Sequence, residues 1–205
     1  RSEVSNVILT AGNNVKVTAK DTSDIFAKNI GVTAAGAASI NVTDAIIHTN
    51  YDTDVTMNKA TVTGKNVNIN ALQTQADKGS EVKVTAVTVG ALASVGVGYA
   101  GIVNRGATDV NITDSNIKST ENVNVENVTI EAKDESKHQS QILSVGVAAL
   151  NVTTTFASVE NYSNVGVTLD GKNDISATGN VAIDAKKANA LEAHTVLGNS
   201  VYGDA

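Results

Sequence analysis

The chain has 205 residues, a formal net charge of -6 and only 3% aromatic residues. It contains no Cys, Pro or Trp, which excludes disulfides and thiolate-bound metals and leaves every residue able to donate a backbone N–H to a sheet. Its charges are scattered, and no basic patch with interleaved aromatic residues points to nucleic acid. With so few large rings, the interior must be built from thin layers of Val, Ile, Ala and Leu.

One phrase, Asn-Val-x-(Val/Ile)-x-Ala, occurs four times. It starts at Asn14, Asn66, Asn127 and Asn180, at intervals of 52, 61 and 53 residues. A period of this size predicts a stacked-repeat architecture, in which no single unit can bury its own apolar face. The repeats run approximately over residues 14–65, 66–126, 127–179 and 180–205, and the last is partial. Since a strand pattern is already present in residues 4–9, we expect 1–205 to be a single segment of a longer chain.

Within the phrase, apolar and polar residues alternate with period two. Val67, Ile69 and Ala71 lie on one side of an extended backbone, and Asn68 and Asn70 lie on the other. The predicted fold class is therefore all-β: a right-handed parallel β-helix (β-solenoid) built from ~53-residue repeats, with its hand taken from the general preference for right-handed crossovers. We expect two coils of about 26 residues per repeat, which gives eight coils and a rod roughly 35–40 Å long.

The first residue of each phrase is the predicted corner of a coil. Asn suits tight turns, and stacked Asn side chains form amide ladders. Glycines in Thr-Gly pairs ahead of two phrases are expected at left-handed corners. The predicted structural turn positions are Asn14, Asn66, Asn127, Asn180, Gly64 and Gly179. In a competing interpretation, the four Asn residues face a ligand.

Two stretches raise the question of helices. Residues 84–104 carry no charge and are long enough to cross a bilayer, but they are rich in Gly and β-branched residues. We predict two consecutive buried strands there instead. Residues 186–196 also suit a helix, although their place in the repeat favours a strand or turn. Copy two carries an insertion, which we place around residues 73–79.

Groups for metal or cofactor chemistry are few, and we expect no cofactor and no metal site. The three histidines lack a second ligand at a suitable spacing, so we expect exposed strand or loop positions for them: His48, His138 and His194. Residues 170–174 form the loop nearest in composition to a calcium site, but without the repeated glycine-rich nonapeptide.

Acidic pairs occur at Asp52/Asp54, Asp134/Glu135 and Asp170/Asp174. They occupy different repeat positions without evident stacking, so they are interpreted as solvated loop charges, and we expect no enzyme activity. A polysaccharide-degrading enzyme on the same fold stays open as the alternative, because such enzymes gather carboxylates on one face. The basic residues that would then matter are Lys133, Lys137, Lys186 and Lys187.

Val145–Ala149 and Val89–Ala93, with the Val/Ile-rich phrases that start Asn-Val, resemble the repeat regions of large bacterial surface proteins. These are the leukotoxin-type and filamentous-haemagglutinin-like adhesins. The resemblance covers nearly the whole chain and implies a right-handed parallel β-helix, export through an outer-membrane barrel and a long surface fibre. The resemblance assigns no functional residue to this chain, because the matching positions are ones that determine the fold.

The expected function is a structural stalk or display segment of a surface or secreted filamentous adhesin that mediates cell adhesion in virulence. The expected location is extracellular, at the bacterial cell surface and associated with the outer membrane. The expected partners are a receptor or glycan on a host cell or bacterial surface and, end to end, a second copy, but not nucleic acid. A self-assembling extracellular fibre subunit is the further alternative, because end coils are open sheet edges.

Overall fold

The computed structural model describes residues 1–74, 79–120 and 125–201. All regular secondary structure in these residues is β-strand, and every strand pair is parallel. The prediction of an all-β fold with parallel sheets is confirmed at this level.

The strands form four sheets, each of which takes its strands from successive copies of the repeat. Sheet I contains β1 (Ser2–Ser5), β5 (Ala38–Asn58), β9 (Ala93–Thr113), β13 (Leu150–Asn161) and β14 (Asn164–Asp170). Sheet II contains β2 (Ile8–Thr10), β6 (Thr61–Gly64), β10 (Asn116–Ser119) and β15 (Asp174–Ser176). Sheet III contains β3 (Val15–Asp21), β7 (Val67–Thr74), β11 (Val128–Glu135) and β16 (Val181–Lys187). Sheet IV contains β4 (Phe26–Ala35), β8 (Ser80–Gly90), β12 (Lys137–Ala148) and β17 (Ala190–Val201).

The chain passes through sheets I, II, III and IV in that order and then repeats the circuit. Each strand pairs with its equivalent in the next copy, so that Val15, Val67, Val128 and Val181 form one column. One copy therefore makes one circuit, and the expectation of two 26-residue coils per copy is wrong. The reason is the length of sheet I, whose strands β5 and β9 have 21 residues each. Four copies at the usual strand spacing make a stack about 19 Å high, not 35–40 Å.

The larger of two apolar cores is enclosed by sheets II and III and the last part of sheet I. The alternation predicted for the repeated phrase places Val67, Ile69 and Ala71 in this core, all fully buried. They pack with the equivalent residues of the neighbouring copies, because parallel register stacks like on like. In the outermost copy, Val181 and Ile183 follow the same register but stay 42% and 43% exposed, since no further copy covers them.

The second core lies where sheet IV packs against the first part of sheet I. It is smaller and is made by Ile47, Val82, Val84, Ala100, Ile102 and Ile142. Strands β8 and β9 meet here, which confirms two consecutive strands within residues 84–104. Most of that stretch, however, alternates between buried residues and residues that are partly or fully exposed. No helix in the described residues is long and apolar enough to cross a membrane.

Within residues 186–196, Lys186 and Lys187 end β16 and residues 190–196 belong to β17, so the helical alternative for this stretch is wrong. The interval between partners grows from 52 residues for β3 and β7 to 55 for β4 and β8. This shift agrees with an insertion in copy two after Gln73, although residues 75–78 of the predicted segment 73–79 lie outside the described residues.

The left-handed corner of each copy lies between sheets I and II. It is occupied by Asn6, Lys59, Asp114 and Gly171, with φ of 52°, 50°, 47° and 70°. Each of them comes directly after the last row of paired residues in sheet I. That row contains Ser5, Asn58, Thr113 and Asp170. Asn, Asp and Gly tolerate this backbone best, and Lys59 is the exception among the four.

Gly64 and Gly179 lie next to corners, but neither has positive φ, so the predicted left-handed role is wrong for both. A Cβ on Gly64 would lie 2.9 Å from the carbonyl oxygen of Asn13, and one on Gly179 would lie 2.9 Å from that of Glu126. These glycines are therefore required because the backbones of adjacent copies approach too closely for a side chain.

Candidate functional site

The four leading Asn residues form a hydrogen-bonded column along the stack. The Asn14 Oδ1 accepts from Nδ2 of Asn66 at 3.0 Å, and Asn66 Oδ1 accepts from the backbone N–H of Asn127 at 3.0 Å. Asn127 Oδ1 in turn accepts from the backbone N–H of Asn180 at 2.8 Å. Since the side chains of Asn14, Asn66 and Asn127 are each engaged by the next copy, the column joins copies and has a structural role.

One member of the Asp52/Asp54 pair does stack on an acidic residue of the next copy, contrary to the sequence-based expectation. Asp54 and Asp109 are direct register partners on the outer side of sheet I, and Asp52 lies two residues before Asp54. Partial burial raises the pKa of the Asp109 carboxyl, and the charges of Asp54 and Asp52 raise it further, against a hydrogen bond from the Gly166 N–H. The sequence carries a signal for this contact, because Asp54-Val55 and Asp109-Val110 begin equivalent phrases of successive copies.

The other two acidic pairs are held in separate structural roles. Asp134 is fully buried, whereas the neighbouring Glu135 pairs with Lys133 at 2.6 Å. Asp170 accepts from the Gly171 N–H at 2.9 Å within the corner, and Asp174 pairs with Lys118 at 2.8 Å. In residues 1–74, 79–120 and 125–201, no group of three or more His, Asp or Glu side chains is placed to hold a metal ion.

The four lysines singled out by sequence do not share one surface. Lys133 and Lys186 are register partners on the outer side of sheet III, where Lys186 pairs with Glu131 at 3.1 Å. Lys187 donates to the backbone carbonyl of Ser163 at 2.6 Å. Lys137 starts strand β12 in sheet IV. The structure thus divides these cations between two sheets.

His138 is buried, and its expected exposure is wrong, whereas His48 and His194 are exposed as expected. Position 138 faces inward on β12 next to the second core. Burial lowers the pKa of the His138 imidazole, and the charge of Asp134 opposes this effect. Neither ring nitrogen has a hydrogen-bond partner among the described residues.

A buried polar band, not visible in the sequence, separates the two cores. In the row of Thr49, Asn104 and Asn161, the Asn104 side chain accepts from Thr49 at 2.6 Å and donates to Asn161 at 3.0 Å. It also donates to the Tyr51 hydroxyl at 3.0 Å, and burial is the main cause of the raised pKa of that phenol. The row spans three copies, so these contacts join them as the Asn column does.

Asp134 belongs to the same band. Its carboxylate accepts from the Ser163 hydroxyl at 2.8 Å, from the Ser136 N–H at 2.9 Å and from the Asn189 amide at 3.2 Å. A buried carboxylate needs such donors, because its charge is costly to remove from water. The engagement of Asp134 with three donors indicates a structural role.

Beyond the second core, sheets I and IV continue as a thin two-layer extension, which we call the wedge. It consists of residues 30–43, 85–98, 143–155 and 196–198, and contains no charged residue. Its outer sides and its connecting turns carry exposed apolar side chains: Ile30, Val32, Ile40, Val42, Val89, Leu92, Val95, Val97, Leu143, Leu150, Val152 and Val196. The uncharged stretch 84–104 was the sequence signal for this surface, although strand periodicity does not show which side is exposed.

The interior of the wedge is polar and very narrow. Asn41 donates to the carbonyl of Gly31 at 2.9 Å, and Ser94 donates to Asn151 at 2.8 Å. A Cβ on Gly31 would lie 2.1 Å from the Thr43 hydroxyl, so the layers approach too closely for a larger residue. The usual distribution is therefore inverted, with small polar groups inside and large apolar side chains outside.

No protein-family model, curated protein or solved structure matches this chain.

Proposed function

We propose that the four sheets form a right-handed parallel β-helix, and that this segment is a structural stalk of a bacterial surface or secreted filamentous adhesin. The observation that carries the proposal is the constant order of the four sheets with parallel pairing between successive copies. In such a stack, each added copy meets the same surface as the one before it. A structure of this kind lengthens without redesign of its core, which suits it to hold a binding region away from a cell.

The contacts between copies support a continuous stack. The Asn column, the polar band and the apolar columns all run from copy to copy. Polar side-chain contacts along the axis add to the backbone hydrogen bonds of four sheets. The proposed setting is extracellular, at the outer surface of the bacterium, with a host or bacterial receptor or glycan bound elsewhere on the parent protein.

A tandem insertion tests the stalk directly. Residues 67–127 form one full circuit, because Val67 pairs with Val128. Repeating this block one to four times within the chain should lengthen the particle along a single axis by about 4.8 Å per block. Small-angle scattering or electron microscopy measures the length. A particle that grows in all directions, or unfolds, contradicts the proposal.

Binding assays separate a stalk from a binding module. We expect the chain to bind immobilised glycans and extracellular-matrix proteins no better than an unrelated protein of similar size and charge. Tight, saturable recognition of one of them by this chain alone would reassign it as a binding module.

End-to-end association is proposed on the exposure of Val181 and Ile183, since their partners in the preceding copy, Val128 and Ile130, are fully buried. A further copy, of this chain or of another, would cover the outer one. Electron microscopy that shows filaments as wide as one circuit of the four sheets would support it, provided that Ile183→Lys abolishes the filaments. Particles that stay monomeric at high concentration would contradict it.

A second candidate, polysaccharide cleavage, is favoured by the stacked Asp54 and Asp109 with Asp52 beside them. Glycoside hydrolysis needs two neighbouring carboxyl groups, one of which holds its proton, and the pKa of Asp109 is raised by its partial burial. Turnover of acidic or neutral polysaccharides, lost in Asp109→Asn and retained in Asp44→Asn, would establish it. Absence of turnover over a wide pH range would leave the stalk as the function.

A further inference from the structure

We propose that the tip of the wedge inserts into the surface of a neutral phospholipid membrane. The exposed apolar side chains extend over both outer sides of the wedge and around its connecting turns. At the tip, Leu92 in its turn and Leu150 at the start of β13 are 67% and 65% exposed. Lipid can surround a tip and cover an apolar surface on all of its sides. A protein partner that covers one side would leave the other sides in water.

The base of the wedge carries the residues expected where a protein crosses from water into lipid. On sheet I, one row contains Asp44, Tyr99 and Phe156, and Phe156 is 59% exposed. On sheet IV, Phe26 is equally exposed, and Lys28 and Lys83 form the next row toward the tip. Aromatic rings and the long side chains of lysines favour the headgroup region of a bilayer.

The dimensions agree with shallow insertion. Phe156 and Leu150 are six residues apart on one strand, which corresponds to about 20 Å. With the aromatic row at the outer headgroups, the turns would reach roughly 10 Å into the acyl chains. Deeper insertion is opposed by the outer strands of the wedge, since β4 and β17 each pair on one side only among the described residues, and unpaired backbone groups are costly in hydrocarbon.

A second copy of the chain is a poorer occupant. One outer side of the wedge measures six residues by three or four strands, or roughly 300–400 Å². A stable interface buries about 800 Å² on each partner. Face-to-face packing would also leave the opposite side and the turns exposed.

The charges around the base favour neutral lipid. Lys83 pairs with Glu81 at 2.5 Å, and Asp44 lies in the row of Tyr99 and Phe156, so the base carries carboxylates beside its lysines. The whole chain has a net charge of -6. Anionic lipid should therefore add no affinity, and the apolar tip has to supply the binding.

Flotation of the 205-residue chain with phosphatidylcholine vesicles tests the proposal. We expect the chain to float with the vesicles, and the double variant Leu92→Asp/Leu150→Asp to lose roughly tenfold or more of its partitioning. Ile8→Asp is the matched control, because Ile8 is a similarly exposed apolar residue on sheet II, at 75%. It should partition like the unmodified chain. Far-UV circular dichroism checks that the variants keep their fold.

A fluorescent probe reports the orientation independently. The chain has no Cys, so Leu92→Cys and Lys16→Cys can each be labelled at one position with an environment-sensitive dye. Vesicles should shift the emission of the dye at position 92 to the blue and leave that at position 16, on sheet III, unchanged.

Three outcomes would overturn the proposal. They are no flotation with phosphatidylcholine, flotation that the double variant retains, and binding that requires phosphatidylserine. A dimer in sedimentation equilibrium that the double variant abolishes, without any flotation, would assign the wedge to a second copy instead.

Discussion

Glycine at position 106 shows how closely adjacent copies pack. A Cβ on Gly106 would lie 2.4 Å from the backbone carbonyl oxygen of Tyr51, its partner on the next strand. Because that carbonyl cannot move without disturbing the sheet, Gly106→Ala should lower the free energy of unfolding by about 1–3 kcal/mol. Urea unfolding followed by circular dichroism measures the change.

Gly36→Ala is the control for this substitution. No atom lies within 4 Å of a Cβ at that position. A change in unfolding free energy within about 0.5 kcal/mol is expected. Equal losses in both variants would show that close approach at Gly106 is not the cause.

The buried His138 should make stability depend on pH. Burial lowers its pKa in the folded state, so the unfolded chain binds the proton first as the pH falls. Stability is then lost as the pH falls through the unfolded value of about 6.5 toward the lower folded value. His138→Leu should reduce the loss of unfolding free energy between about pH 7 and 5, and it removes two ring nitrogens that lack partners.

The exposed His48 supplies the comparison for that experiment. Its replacement in His48→Gln should leave the pH dependence of the unmodified chain unchanged. If His138→Leu and the unmodified chain lose the same free energy on acidification, the acid sensitivity arises elsewhere.

At the scale of the element, the strands that carry the leading phrase are fully buried on their inner side only where a neighbouring copy lies on both sides. Ile130 and Ile183 are register partners, but Ile130 is fully buried in β11 whereas Ile183 is 43% exposed in β16. Ile130→Ala should cost about 2–5 kcal/mol of unfolding free energy, and Ile183→Ala distinctly less. Chemical denaturation of the two variants gives the comparison, and equal losses would contradict the register.

The strands also show where sequence patterns are sufficient. The alternation of β7, β11 and β16 was predictable, because Val, Ile and Ala at every second position leave one apolar side. The same rule was insufficient for the wedge. There both sides of each strand are uncharged, so the pattern defines two faces but does not decide which one is inside.

At the scale of the whole molecule, the number of circuits per copy is testable by excision. Deleting residues 67–127 removes one circuit and joins Asn66 to Val128, which restores the Asn-Val junction. This variant should keep a strand spectrum and a cooperative transition, with lower stability because fewer copies are stacked. Deleting residues 67–97, about half a circuit, should abolish the fold, since partners from different sheets would then meet. Tolerance of the shorter deletion would restore the two-coil interpretation.

The sequence by itself determined the period, the strand composition and the parallel all-β class, because these follow from residues within one copy and from their recurrence. The tertiary structure alone decided that one copy makes one circuit and that His138 is buried. These features depend on contacts between residues more than 50 positions apart, or between sheets. The inverted wedge is the clearest example: its thin interior admits only small side chains, so the larger apolar ones lie outside, and that constraint exists only once two sheets face each other.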